Sequence, residues 1–165
     1  MQDHHPSSDR AARIAILLAA MSTEDQHLAL AAVERYATHA PHGGPLTWLL
    51  GIHYTEVGAG YAGCTVDVDR AHHNPAGIAH GALAYALLDS AMGAAFYHAL
   101  ERPLGCATLE LKVNYVRPMA QGRMSASARL IERTSRFGIL TGRVVDAEDN
   151  LVALAQGTFA IIQPK

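Results

Sequence analysis

GALAYALLDSAMGAAFYHAL, residues 81–100, decides how this chain folds. Ala, Leu, Gly and Tyr dominate it, and one formal charge, Asp89, interrupts it. A helix apolar on every face belongs inside protein rather than on a surface. A membrane span needs about 20 apolar residues. This run barely reaches that length, is Ala/Gly-rich, and carries mid-span an acid that adds about 2.5–3.5 kcal/mol against insertion. In a protein core the carboxylate is costly too, unless it is paired, hydrogen-bonded or protonated. Asp89 is therefore either a brace for neighbouring backbone or a working group. Just upstream, Asn74, Gly77, His80 and Gly81 supply polar and flexible residues for a site around it.

The sequence on either side sets what encloses that helix. Before it, LTWLLGIHYTEV (46–57) and YAGCTVDVD (61–69) read as two strands separated by Gly58-Ala59-Gly60. His72 to Ala79, with Asn74-Pro75 and Gly77, reads as a loop. After Arg102-Pro103 come four strand-like runs joined by short turns: LELKVNYVR, RMSASARLIER, FGILTGRVVD and LVALAQGTFAII. In the first, Leu109, Leu111, Val113 and Tyr115 alternate with Glu110, Lys112 and Asn114, the period of a half-buried strand. Tyr85, Met92 and Phe96 are expected in the core. Two strands, one long helix and four more strands predict an α+β hotdog fold, a twisted antiparallel sheet of about six strands wrapped around one central helix. A doubly wound α/β sheet does not fit, because no helices alternate with the later strands.

Residues from about Asp9 to Thr38 read as one or two helices, the second N-capped by Thr23, and Leu17, Leu18, Leu28 and Leu30 there need cover. Pro41-His42-Gly43-Gly44-Pro45 reads as a linker. The expected organisation is an N-terminal helical arm and linker, 1–45, followed by a hotdog domain, 46–165. His4-His5-Pro6 looks like a disordered start. Arg10 and Arg13 before IAILLAAM superficially resemble a signal peptide, but Asp3 and Asp9 and the continuing helical pattern oppose that reading.

At 165 residues, half of them apolar, with a formal net charge of −2, the chain carries no basic footprint for nucleic acid or a membrane surface. Its two cysteines, Cys64 and Cys106, have no CxxC spacing and read as small hydrophobes in a reducing cytoplasm. Ten histidines include no HExxH, and His72-His73 would diverge on any regular element, so no metal is expected.

His80 and Asp89 are nine residues apart, about 13 Å along a helix and about 180° around it. They cannot meet at one atom on one straight helix. Either they are unrelated, or the Asp89 of one chain meets the helix start of another, which predicts a homodimer with composite sites occurring twice. At that start, unpaired backbone N–H groups and the helix dipole favour negative charge. With a donor such as Asn74 they would stabilise an oxyanion developing on a carbonyl. Gly81 lets the backbone come close, and Asp89 could attack a carbonyl or activate a water. No GxSxG elbow competes.

NPAGIAHGALAYALLDSA (74–91), followed by LELKVNYVRP (109–118), resembles the PaaI-type, phenylacetic-acid-pathway branch of the hotdog acyl-CoA thioesterases. The resemblance spans about Leu46 to Ile162. It implies that Asp89 is the catalytic carboxylate, nucleophile or general base, and that Gly81 supplies the oxyanion-hole amide. Asn74 would position the thioester or the attacking water, His80 would support the site, and Thr108 would orient water. It implies dimers, commonly paired into tetramers, with Asp89 facing the other subunit's Asn74, His80 and Gly81. The family pattern usually reads His-Gly-Gly, whereas Ala82 follows Gly81 here, a methyl that narrows the acyl pocket.

The expectation is thus a cytoplasmic homodimer or homotetramer that hydrolyses an aryl- or medium-chain acyl-CoA without a metal or redox cofactor. Arg117 and Arg136 are candidate contacts for CoA phosphates. The alternatives are a catalytically silent acyl-CoA-binding dimer and a hotdog hydratase or dehydratase.

Overall fold

The computed structural model describes residues 6–39 and 44–163. Two helices come first, α1 (Pro6–Ala19) and α2 (Thr23–His39), and then a single turn and a half, α3 (Pro45–Leu50). The hairpin β1 (His53–Gly58) and β2 (Tyr61–Val68) follows, leading through a 3₁₀ turn (Arg70–His72) to the long helix α4 (Gly81–His98). Strands β3 (Gly105–Tyr115), β4 (Gly122–Arg133), β5 (Phe137–Val145) and β6 (Leu151–Ile162) complete the chain. They form one six-stranded sheet in the order β1-β2-β4-β5-β6-β3, every neighbouring pair antiparallel. This is the hotdog architecture, with α4 touching all six strands.

The inward face of α4 carries Leu83, Leu87, Leu88, Met92 and Phe96, which bury against Cys64 and Val66 of β2, Leu140 and Val144 of β5 and Phe159 of β6. Each large side chain so buried stabilises the fold by about 1.5–3 kcal/mol. Glycines in β5 leave room for side chains of the helix. A Cβ on Gly138 would stand 2.3 Å from the Phe96 ring, and one on Gly142 2.8 Å from Met92. The hairpin turns at Gly60, which holds φ +83° where other residues are strained.

Several sequence expectations are corrected. The run 46–57 is not one strand. Gly44 and Pro45 start α3, and Gly51 at φ +68° ends it in the left-handed conformation before β1 begins. Apolar LTWLL has no period of two, so its composition fits either element, and the flanking Gly and Pro decide. In β3 a bulge between Thr108 and Glu110 breaks the alternation, leaving Leu109 65% exposed, and Tyr115 is exposed as well. The cap of α2 is Ser22 rather than Thr23, its hydroxyl accepting the Asp25 N–H at 3.1 Å. Finally, α4 is not covered all round by its own chain. Tyr85, Ala86, Asp89, Ser90, Gly93, Ala94 and Tyr97, spaced by three and four, stay exposed or half-buried. The sheet covers only the opposite face, and Tyr85 is therefore not core.

The arm docks mainly through α2, which packs on α3 and the 3₁₀ turn. Tyr36 meets Trp48 edge-on at 5.1 Å, and Glu24 pairs with Arg70. Leu18, Leu28 and Leu30 are half-buried, but Leu17 remains exposed. The linker expected at Pro41 to Gly43 and the start at His4-His5 lie outside the described residues. No helix among those residues is long and apolar enough to cross a membrane.

Candidate active site

Two polar clusters flank α4. The first sits at its N-terminus. His80 is the N-cap: its Nδ1 accepts the Ala82 N–H at 3.0 Å, which places the ring proton on Nε2. That cap leaves the Gly81 N–H as the first free donor of the helix, and among the described residues no acceptor meets it. Gly81 is glycine for a packing reason. The Tyr115 hydroxyl donates to the Gly81 carbonyl at 3.1 Å, and a Cβ there would press on the Tyr115 ring at 3.3 Å.

Asn74 belongs to the same cluster. Its backbone N–H donates to Ile78 O and its carbonyl accepts from Gly77, whose φ of +74° closes the turn. The Asn74 side-chain carbonyl accepts the Ala76 N–H at 2.9 Å, an Asx turn that holds the amide NH₂ group as the outward donor. The loop is strapped down by Ala79 N–H donating to Met119 O at 2.7 Å and by the contact of the His73 ring with Ala120 O. Asn74, His80, Gly81, Tyr115, Arg117 and Met119 line one cleft of about 350 Å³.

The second cluster lies two turns along, on the uncovered stripe. Thr108 of β3 donates its hydroxyl to Asp89 Oδ1 at 2.7 Å, fixing the carboxylate while leaving it partly open. Beside it a cavity of about 490 Å³ is lined by Tyr54, Val57, Gly93, Ala94, Tyr97 and Cys106. Burial, assisted by the Cys64 thiol and the Asp89 carboxylate, pushes the Tyr54 phenol above its ordinary pKa, and its hydrogen bond with Ser90 offsets part of that. Burial and then Asp89 raise the Cys106 thiol, and burial pushes Cys64 up to about 12. Neither thiol is primed as a nucleophile.

The residues singled out from sequence therefore fall into two groups. Asn74, His80 and Gly81 come together, as do Asp89 and Thr108, but the two groups do not share a cleft. Tyr54, Ser90 and Tyr115 were not singled out as site residues. Tyr115 read as one more inward position of an alternating strand, and only the packing of the β3 end against the start of α4 reveals its contact with Gly81. Arg117 borders the first cleft and donates to Leu151 O at 2.7 Å, whereas Arg136 lies outside both cavities, in the β4–β5 turn. Among the described residues no cluster of three His, Cys, Asp or Glu could hold a metal ion.

An antiparallel sheet around one helix, with amide donors at the helix start and a carboxylate along it, defines the class as a hotdog protein. The profile of the Thioesterase superfamily matches residues 76–153. Phenylacetic acid degradation protein PaaI from Thermus thermophilus, solved as a single-residue mutant, is 30% identical with a TM-score of 0.66, the match covering 71% of this chain and 98% of that one. A conserved protein from Pseudomonas aeruginosa is also 30% identical, TM-score 0.70, over 73% of this chain and 95% of its own. The 1,4-dihydroxy-2-naphthoyl-CoA hydrolase of Escherichia coli is 25% identical over 126 residues, 76% of this chain and 93% of that protein. The chain belongs to the thioesterase superfamily, in its PaaI-type hotdog branch, and is a thioester hydrolase.

Proposed function

We propose that this enzyme hydrolyses an aryl- or medium-chain acyl-CoA to the free acid and CoA at a site shared by two copies of the chain. The observation that carries the reading is the Asp89 carboxylate, held by Thr108 on a stripe of α4 that its own sheet leaves uncovered. The stripe and the unpaired edge of β3 run side by side, with exposed Leu109 and Tyr115 on that strand. Apolar surface and an open strand edge in one place favour a second copy. About 12 Å of helix separates Gly81 from Asp89, so in an isologous dimer each Asp89 can serve the Gly81 end of the partner.

In that arrangement the thioester oxygen accepts hydrogen bonds from the Gly81 N–H and the Asn74 amide, which stabilise the charge that develops on it. Asp89 then acts in one of two ways. Its carboxylate attacks the carbonyl carbon, expelling the CoA thiolate and leaving a mixed anhydride that water cleaves. Alternatively it takes a proton from a water that attacks directly, and the thiolate leaves protonated. Neither route needs a metal or redox cofactor. The cavity walled by Tyr54, Val57 and Tyr97 beside Asp89 suits a flat or flexible apolar acyl group. Arg117 at the mouth of the other cleft is available to a CoA phosphate.

Free-thiol release from a panel of aryl, short-, medium- and long-chain acyl-CoAs, run beside Asp89→Ala, tests this reading. Turnover of the aryl or medium-chain members that disappears in the folded variant supports it. Binding without turnover by the unmodified protein contradicts it and makes the chain a silent binder.

A further inference from the structure

The arm that precedes the hotdog core reaches the active-site helix through one chain of hydrogen bonds. Arg35 of α2 is its origin, with a side chain only 15% exposed. Its guanidinium donates from Nη1 to Leu49 O at 2.9 Å and from Nη2 to Asp69 Oδ2 at 2.6 Å. Asp69 is the N-cap of the 3₁₀ turn: its Oδ1 accepts the Ala71 N–H at 2.8 Å, and its own N–H donates to His72 Nδ1 at 3.1 Å. His72, 6% exposed, is the one buried polar residue of the core among the described residues. With Nδ1 accepting, the ring proton is on Nε2, which donates to Leu50 O at 3.0 Å. The carbonyl of His72 accepts the His80 N–H at 2.8 Å, and His80 caps α4 beside Gly81.

We infer that Arg35 is a positioning residue for the hydrolysis, setting through Asp69, His72 and His80 where the Gly81 amide points. This rests on the reading of Gly81 as the oxyanion donor. Two carbonyls of the short Leu49–Gly51 corner are held by this chain, Leu49 by Arg35 and Leu50 by His72, and the arginine lies so close that a Cβ on Gly51 would stand 3.2 Å from its Nε. A guanidinium is suited to the task because its rigid fork serves two acceptors at once. The His72 ring spans from the turn to the α3 end with both nitrogens engaged, so it cannot shift without breaking a bond. A donor aimed at a developing oxyanion must hold its geometry to a fraction of an ångström, and loosening its support lowers turnover without removing any group that touches substrate.

The test compares Arg35→Ala, Arg35→Lys and Tyr36→Ala in the full-length protein. Tyr36 docks the same helix through Trp48 but has no part in the chain. Arg35→Ala is expected to lower kcat about tenfold with KM within about twofold, as misplacement of a catalytic group does. Arg35→Lys, which keeps the charge opposite Asp69, is expected to recover part of the loss, and Tyr36→Ala to leave kcat unchanged. The NMR resonances of the His80 ring are followed in the same proteins. They should move in Arg35→Ala and stay in Tyr36→Ala, a readout that is independent of which reaction is catalysed. Equal kcat losses in Arg35→Ala and Tyr36→Ala, or an unmoved His80 in Arg35→Ala, overturn the inference. Should Arg35→Ala not fold, Arg35→Lys with a His80 signal and kcat identical to the parent overturns it as well. Failure of the underlying reading shows separately, as Asp89→Ala retaining full turnover.

Discussion

The two polar clusters along α4 are built on different plans. At the N-terminus, backbone supplies most of the polar groups: His80 caps, Gly81 exposes an amide, and the Asn74 turn adds a side-chain donor, all pinned by hydrogen bonds to the 3₁₀ turn and to Met119 and Tyr115. Two turns on, the polar group is a side chain, with Asp89 set, among the described residues, by a bond from Thr108 and bordered by half-open apolar surface. On the proposed function donors and acid are complementary halves of one site, yet one straight helix holds them about 12 Å apart. The difference teaches that the sheet accounts for only one face of this apolar helix and leaves the Asp89 stripe open.

Substitutions at each end break that comparison to different degrees. Asp89→Asn preserves size and removes the anion, and kcat is expected to fall about 10³-fold, within the range for a lost acid-base or nucleophilic group. Steady-state thiol release checks it, with circular dichroism confirming the fold. Asn74→Ala removes one of the two oxyanion donors proposed here, and a loss of about 10²-fold in kcat is expected. KM should change little, because the donor bonds strengthen only as charge develops. Thr108→Val keeps the branched shape but frees Asp89 from its one hydroxyl partner. A fall of about tenfold is expected, since a loosened group retains its chemistry. The smallest effect on turnover should come at the sheet side of the helix. Gly138→Ala, whose methyl would meet the Phe96 ring, is expected to destabilise the fold by about 1–3 kcal/mol and leave the kcat of the folded fraction near that of the parent. Urea unfolding followed by circular dichroism reads the first and thiol release the second.

Much of the fold was legible in the sequence because its signals are local. The stretch 81–100 read as a helix, which α4 fills to His98 with one face buried on the sheet, and the runs from 123 to 162 carry turn residues at each end, so their strands lie where patterning puts them. Where the reading failed, the deciding physics was not in composition. LTWLL could be helix or strand, and α3 is settled by the Gly51 conformation and by the capping of its carbonyls from Arg35 and His72. The bulge that turns Leu109 outward follows from pairing with β6, which no pattern inside β3 announces. In the site, the separation of His80 from Asp89 was readable from spacing, as was the pairing of a turn-forming Asn with a helix start. The Thr108–Asp89 bond joins β3 to α4 and was not readable from either stretch, and Tyr54 and Tyr115 likewise make their contacts between distant segments. The Arg35–Asp69–His72 chain joins α2 to the 3₁₀ turn, and none of its members is unusual in its own stretch of sequence.

That the two halves meet across copies is tested most directly by mixing subunits. Asp89→Asn and Asn74→Ala proteins are combined in equal amounts, exchanged by mild denaturation and refolding, and assayed for thiol release. Each hybrid dimer then holds one site with both lesions and one with neither. Random exchange is expected to restore about a quarter of the parent activity, since half of the dimers are hybrids and half of their sites are intact. Activity no higher than the average of the two variants alone would mean that Asp89 and Asn74 serve the same site from the same chain, and the shared-site account would be wrong.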